Sequence, residues 1–148
     1  MIPQRTRIFG LLPAGVHDAT WEEMVSVFGN SDRRKHLLVG LRAACINLHE
    51  SGVKYLFLDG SFVTEKKSPN DWDACYSGID VDASKLDPVW SDFKNERAAQ
   101  KTKYYGEAFV AETNSRGLLG PPFLEFFQTD RNGGRKKGIL RLDLGTIK

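Results

Sequence analysis

YLFLDGSFVTEKKSPNDWDACY, residues 55–76, is the stretch from which the rest of the chain is read. Tyr55-Leu56-Phe57-Leu58 is a short apolar run, the signature of a buried strand, and it stops at the turn-forming cluster Asp59-Gly60-Ser61. Two carboxylates follow at Asp71 and Asp73. In an extended segment successive side chains alternate, so Asp71, Asp73 and Cys75 share one face while Trp72, Ala74 and Tyr76 share the other. Trp72, Ala74 and Tyr76 mark a buried segment, where an unpaired carboxylate is expensive. Two anions within about 4–6 Å also disfavour each other. A divalent cation held by oxygen ligands removes both costs. Between the two strands, Thr64-Glu65-Lys66-Lys67-Ser68-Pro69-Asn70 is polar, ends in Pro-Asn, and reads as an exposed turn.

Gly60-Ser61, nine intervening residues and Asp71-Trp72-Asp73 together resemble the signature of the nucleotidyltransferase superfamily. That superfamily includes DNA polymerase beta, the poly(A) and CCA-adding enzymes and small stand-alone members. The run LDGSFVTEKKSPNDWD is most similar to its small prokaryotic and phage branch. The resemblance implies an α+β domain, a mixed β-sheet with flanking helices. It also implies Mg²⁺ or Mn²⁺ on Asp71 and Asp73, and transfer of a nucleoside monophosphate from an NTP to a hydroxyl of RNA, a protein or a small molecule. Gly60 and Ser61 would seat the triphosphate, since glycine allows close backbone approach and the hydroxyl and nearby N–H groups donate to phosphate.

A two-metal site calls for a third carboxylate from another strand, and in the superfamily that acid comes from a later one. Asp143 is the first choice, because Leu140, Leu142 and Leu144 alternate with Ile139, Arg141 and Asp143; Glu107 and Glu125 are the alternatives. Lys66 and Lys67, with Arg131, Arg135, Lys136 and Lys137, form two basic turns. These read either as solvated surface or as contacts to a triphosphate or RNA backbone, whose affinity is largely electrostatic. The chain lacks the helical substrate-binding domain of larger superfamily members, so a partner protein supplying recognition is a further expectation. The competing reading is a catalytically silent module of the same fold, as in toxin–antitoxin or phage-defence systems. A metal-dependent nuclease would use the same acids without needing the Gly-Ser turn.

Composition sets outer limits. A chain of 148 residues, 41% hydrophobic and 27% charged, is expected to be one soluble domain spanning 1–148. The formal net charge of +2 does not announce a nucleic-acid binder. No run approaches 18 apolar residues, and MIPQRTRIFG lacks the apolar core of a signal peptide, so the expectation is a cytoplasmic protein with no membrane partner. Cys45 and Cys75 stand alone, without a metal-binding or disulfide pattern.

Outward from the central stretch, Ser31-Asp32 caps a helix over about 32–50, with Leu37, Leu38, Leu41, Ala44, Cys45 and Leu48 at helical spacing and Gly52 beyond its end. Thr20-Trp21-Glu22-Glu23 has the capping-box form and predicts a short helix over 21–28. Residues 1–19, with Pro3, Gly10, Pro13 and Gly15, are expected to form an extended arm. Downstream the pattern predicts a loop over 77–88, helical turns within 95–103 and a strand within 104–113 that Gly106 interrupts. A short segment over 123–127 leans towards helix after Pro121-Pro122, a basic turn covers 130–138, and a last strand covers 139–144.

Overall fold

A computed structural model describes residues 2–5, 10–115, 120–129 and 136–147. The elements run β1 (Gly15–Ala19), α1 (Trp21–Phe28), α2 (Asp32–Glu50), β2 (Tyr55–Asp59), β3 (Trp72–Tyr76), α3 (Lys94–Tyr104), β4 (Gly106–Val110), α4 (Phe123–Phe126) and β5 (Gly138–Asp143). The strands form one five-stranded sheet in the order β1-β5-β2-β3-β4. It is mixed: β1 is parallel to β5, β2 is antiparallel to both β5 and β3, and β3 is parallel to β4. The described residues make a small α+β domain.

The caps do what the sequence indicates. Thr20 Oγ1 accepts from the Glu23 N–H at 3.1 Å and Glu23 Oε2 accepts from the Thr20 N–H at 3.4 Å, so two donors at the start of α1 are satisfied reciprocally. Ser31 Oγ accepts from the Arg34 N–H at 3.2 Å and starts α2.

Strand alternation then separates two chemistries. Leu56 and Leu58 of β2, Trp72, Ala74 and Tyr76 of β3, Ala108 of β4, and Leu140 and Leu142 of β5 turn to the same side. There they meet Met24 and Phe28 of α1 and Leu37, Leu41, Ala44 and Leu48 of α2 in the main core. Each fully buried Leu or Phe there contributes about 1.5–3 kcal/mol. The opposite face is half apolar: Phe57, Cys75, Phe109 and Ile139 pack under Phe123, Leu124, Phe126 and Phe127 in and beside α4. At one end that face carries Asp59, Asp73 and Glu107 instead.

Gly106, an interruption in a strand on sequence grounds, has a steric explanation. A Cβ there would lie 2.2 Å from the indole of Trp72, whose Nε1 donates to the Tyr104 carbonyl at 2.8 Å. Only glycine lets that ring lie across β4.

Two segments depart from expectation. The extended arm over 1–19 ends in β1, which pairs along its whole length with β5, from Gly15 opposite Gly138 to Ala19 opposite Leu142. As an edge strand of mostly exposed residues it carries no apolar alternation to reveal it. α3 opens with Asn95, Glu96 and Arg97 at φ of 50°, 57° and 60° before the right-handed turns begin. Left-handed backbone costs a non-glycine residue roughly 1–2 kcal/mol. Of the basic turn, Arg131 and Arg135 lie outside the described residues, as does the Ile8-Phe9 part of the arm. Among the described residues, no helix is long and apolar enough to cross a membrane.

Candidate functional site

Strand direction gathers the acids. β2 ends at Asp59; β3 runs antiparallel to it, so its beginning lies beside that end, with Asp73 opposite Asp59. β4 runs parallel to β3 and so also begins there, with Glu107 opposite Asp73. Cross-strand partners share a face. Asp59, Asp73 and Glu107 therefore stand in a row across three adjacent strands, and Asp71, two residues before Asp73, adds a fourth carboxyl at the same end.

Gly60 turns the chain at this corner with φ 75° and ψ −166°, a conformation open to glycine alone. A Cβ on it would lie 2.3 Å from Asp73 Oδ2, so the bare backbone lies against that carboxyl. Ser61–Val63 follows as a single 3₁₀ turn.

The turn is held from beneath by α2. Arg34, 4% exposed, donates to the carbonyls of Phe62 at 2.5 Å, Thr64 at 2.8 Å, Lys66 at 2.8 Å and Phe28 at 3.1 Å. Its neighbour Arg33 donates to the Pro69 carbonyl at 3.0 Å and to the Asn70 carbonyl. One dipeptide of α2 thereby fixes both shoulders of the 61–70 connection.

The acids face a cleft of about 680 Å³, walled on one side by Gly60, Ser61 and Thr64 and on the other by Phe109, Phe123, Phe126 and Phe127. Cations enter it from two directions. Arg97 Nε lies 2.7 Å from Glu107 Oε2 while its guanidinium lies 5.3 Å over the Phe109 ring, and Lys101 Nζ is 3.6 Å from the same oxygen. Lys137 Nζ is 3.0 Å from Asp59 Oδ1.

The titration behaviour follows from this crowding. Burial pushes the Asp73 carboxyl well above the usual range, and its hydrogen bond to Glu107 and the charges of Asp71, Glu107 and Asp59 push the same way. Burial also raises Glu107, but hydrogen bonds from Asp73 and Arg97 and the charges of Arg97 and Lys101 more than offset it, leaving Glu107 low. The two neighbouring carboxyls are thus pushed in opposite directions, Asp73 up and Glu107 down. Burial, then the Glu107 charge, raises Asp71.

Of the residues singled out in the sequence, Gly60, Ser61, Asp71 and Asp73 come together at this cleft. Asp143 does not join them. It sits opposite Tyr55 at the other end of β2, is exposed, and accepts from the Gly145 N–H at 2.9 Å as a local cap. Four residues of strand separate that end from Asp59, about 13 Å at the usual rise. The reason is direction: β5 is antiparallel to β2, so its first residues, beside Lys137, reach the cleft and its last do not. Glu107, the first alternative, is the carboxylate beside Asp73, whereas Glu125 is exposed on α4. Lys66 and Lys67 are exposed and line a separate hollow of about 490 Å³ with Arg5, Phe28 and Arg34.

Sequence reading missed Asp59, Arg97 and Lys137 as cleft residues. Asp59 passes for part of the turn, and Lys137 for one charge in a basic run. Arg97 has no signal, since its approach depends on the left-handed turn.

Among the described residues, no group of three or more His, Cys, Asp or Glu side chains converges as around a bound metal ion. Glu107 is turned to Arg97 and Lys101, and Asp59 to Lys137. The donor set is nevertheless carboxylate oxygen throughout, which is the chemistry of Mg²⁺ and Mn²⁺. Positive groups already stand on it. Asp71, Asp73 and Glu107 thus share the donor chemistry of such a cation without being gathered around one point.

No curated protein matches this chain, and no solved structure does. Residues 4–143 match a described family, and on that match the chain belongs to the family of unknown function DUF6932.

Proposed function

We propose that the protein is a nucleotidyltransferase of the nucleotidyltransferase-like fold, moving a nucleoside monophosphate from an NTP to a hydroxyl of RNA, a protein or a small molecule with Mg²⁺ or Mn²⁺ as cofactor. The observation that carries this reading is the Gly60 corner lying against Asp73, with Asp71 and Glu107 beside it at the same sheet end. Gly60 and the N–H groups of the turn at Ser61 supply donors for phosphate, and the Arg34 charge beneath the turn favours an anion there.

Asp71, Asp73 and Glu107 would hold the cation, which when bound supplies charge against the phosphates and makes the acceptor hydroxyl easier to ionise. The acceptor oxygen forms a bond to the α-phosphorus, the bond from that phosphorus to the β-bridging oxygen breaks, and pyrophosphate leaves with the electron pair. The hydroxyl proton goes to a carboxylate of the Asp73–Glu107 pair. The aromatic wall of Phe109, Phe123, Phe126 and Phe127 offers flat faces to a base and excludes water from one side. A cytoplasmic setting and a partner protein that recognises the acceptor complete the proposal.

A second reading, a catalytically silent module of the same fold such as a toxin–antitoxin or phage-defence component, has one observation in its favour. Arg97, Lys101 and Lys137 already neutralise Glu107 and Asp59. Calorimetric titration of Mn²⁺ with ATP into wild type and Asp71→Ala/Asp73→Ala, beside transfer of α-phosphate label to total cell RNA and protein, tests the choice. Binding and labelling that the substitutions abolish support the transferase. Binding without labelling, under every NTP, selects the silent module. Equal Mn²⁺ binding by both proteins ends the metal site.

A further inference from the structure

We infer that the hollow beside Lys66 and Lys67 is a binding site for a phosphate group, separate from the acidic cleft and independent of the transferase reading. This hollow of about 490 Å³ is lined by Arg5, Arg34, Lys66 and Lys67, with Glu65 as its one acid. Thr64 lines both it and the cleft, so the loop that follows the Gly60 corner is the wall between them.

Its charge is uncompensated. Arg34, 4% exposed, donates to the carbonyls of Phe28, Phe62, Thr64 and Lys66. Those dipoles satisfy its hydrogen bonds, yet among the described residues no ion pair joins Arg34, Lys66 or Lys67 to an acid. A buried cation without a counter-charge is costly. Burial, and then the nearby charge of Arg5, holds the Arg34 guanidinium below its ordinary value.

Arg5 has donors to spare. Its guanidinium lies 5.5 Å from the Phe28 ring, which the Arg34 guanidinium approaches at 6.0 Å, so two like charges share one aromatic partner. Arg5 Nη1 makes one long bond, 3.4 Å to the Pro3 carbonyl, and Nε, buried, makes none. Glu65 Oε1 stands 3.8 Å from that Nε, beyond hydrogen-bond reach. Unsatisfied donors of this kind mark a place for an acceptor.

The ligand's chemistry follows. Four cations against one carboxylate leave the lining at a net +3. A carboxylate would meet only a third of that, whereas a phosphate monoester brings about −1.5 to −2 and three acceptor oxygens, which guanidinium groups fit well. Phe28 is only 2% exposed beneath the two arginines, so it presents no open ring face on which a base could stack. The hollow therefore grips phosphate oxygens. They come either from a small phosphate ester or from the diester of an RNA strand.

Binding is tested in chelator, by calorimetry with inorganic phosphate and adenosine monophosphate and by fluorescence anisotropy with a labelled short oligouridylate. Circular dichroism checks the fold of each variant. Arg5→Gln and Lys67→Gln should each weaken the bound probe about tenfold, the effect of one charge-assisted contact. The exposed Lys67 keeps the test decisive if the Arg5 variant does not fold. Arg97→Gln, which removes a cation of the cleft, should stay within about twofold of wild type, and acetate at matched ionic strength should not compete. With that dependence on Arg5 and Lys67, binding of phosphate or the monophosphate assigns a small ester, and binding of the oligomer alone assigns a strand. A loss in Arg97→Gln with Arg5→Gln and Lys67→Gln unchanged moves the phosphate to the cleft and overturns the inference. Equal competition by acetate, or no binding of any probe, overturns it as well, and neither result touches the transferase reading.

Discussion

Arg34→Met should cost the fold about 3–4 kcal/mol, because the buried guanidinium organises a whole loop. Three of its hydrogen bonds, to the carbonyls of Phe62, Thr64 and Lys66, are 2.5–2.8 Å long. Bonds of this kind, with one charged partner, contribute roughly 1.5 kcal/mol each, or about 4.5 kcal/mol together. Methionine keeps the apolar contact with Phe28 and Phe62, whose rings lie 6.0 and 5.2 Å from the guanidinium carbon, and recovers roughly 1 kcal/mol of that. The remainder is a large share of the 5–15 kcal/mol that stabilises an ordinary domain. Thermal unfolding by circular dichroism should show Tm lower by roughly 10 °C for a chain of this length. Arg34→Lys should fall between, since a single ammonium cannot span carbonyls that a planar fork reaches. Amide hydrogen exchange should localise the loss to residues 61–66. A decrease of less than about 1 kcal/mol, or exchange that rises evenly through the sheet, would refute the assignment of the loop's geometry to this residue.

The acid cluster makes a pH prediction. Asp73 has a raised carboxyl in the folded state, so the stability it contributes is present below the ordinary aspartate value near 4 and is lost as pH rises towards its elevated folded value. Glu107, held low, acts oppositely and loses its contribution as pH falls through its folded value. Urea unfolding in chelator from pH 4.5 upward should therefore show wild type weakening by up to about 1.4 kcal/mol per pH unit relative to Asp73→Asn. Parallel curves for the two proteins would remove the buried-carboxyl account. Gly60→Ala should destabilise by about 2–4 kcal/mol, from φ of 75° and a Cβ aimed 2.3 Å from Asp73 Oδ2. A melting temperature within a degree or two of wild type would contradict the corner geometry.

How much of this the sequence displays depends on the range of the interactions involved. α1 and α2 are legible because their caps are local chemistry, β2 because a short apolar run marks a buried strand, and β3 and β5 because a buried face imposes period-two alternation. β1 is illegible for the same reason, being an exposed edge that needs no alternation. The contrast between Asp143 and Glu107 is sharper. Both are acids on short strands, and residue type and spacing cannot separate them. What separates them is that β4 runs parallel to β3 while β5 runs antiparallel to β2, which brings the start of each of those strands to the Gly60 corner and carries Asp143 away. The direction of a strand is settled by long-range pairing, not by its own residues. The left-handed opening of α3 is likewise invisible locally, since Asn95-Glu96-Arg97 would suit an ordinary first helical turn.

Cys45 and Cys75, the two cysteines in the chain, are both 0% exposed, and burial holds both thiols above their ordinary range. A reagent that needs thiolate finds no native target on the folded molecule. A single cysteine placed at an outward position, as in Ile79→Cys or Val39→Cys, would therefore carry a fluorophore or spin label in one-to-one ratio with no native residue removed. Conversely, the moment at which the native sulfurs begin to consume Ellman's reagent times the opening of the interior.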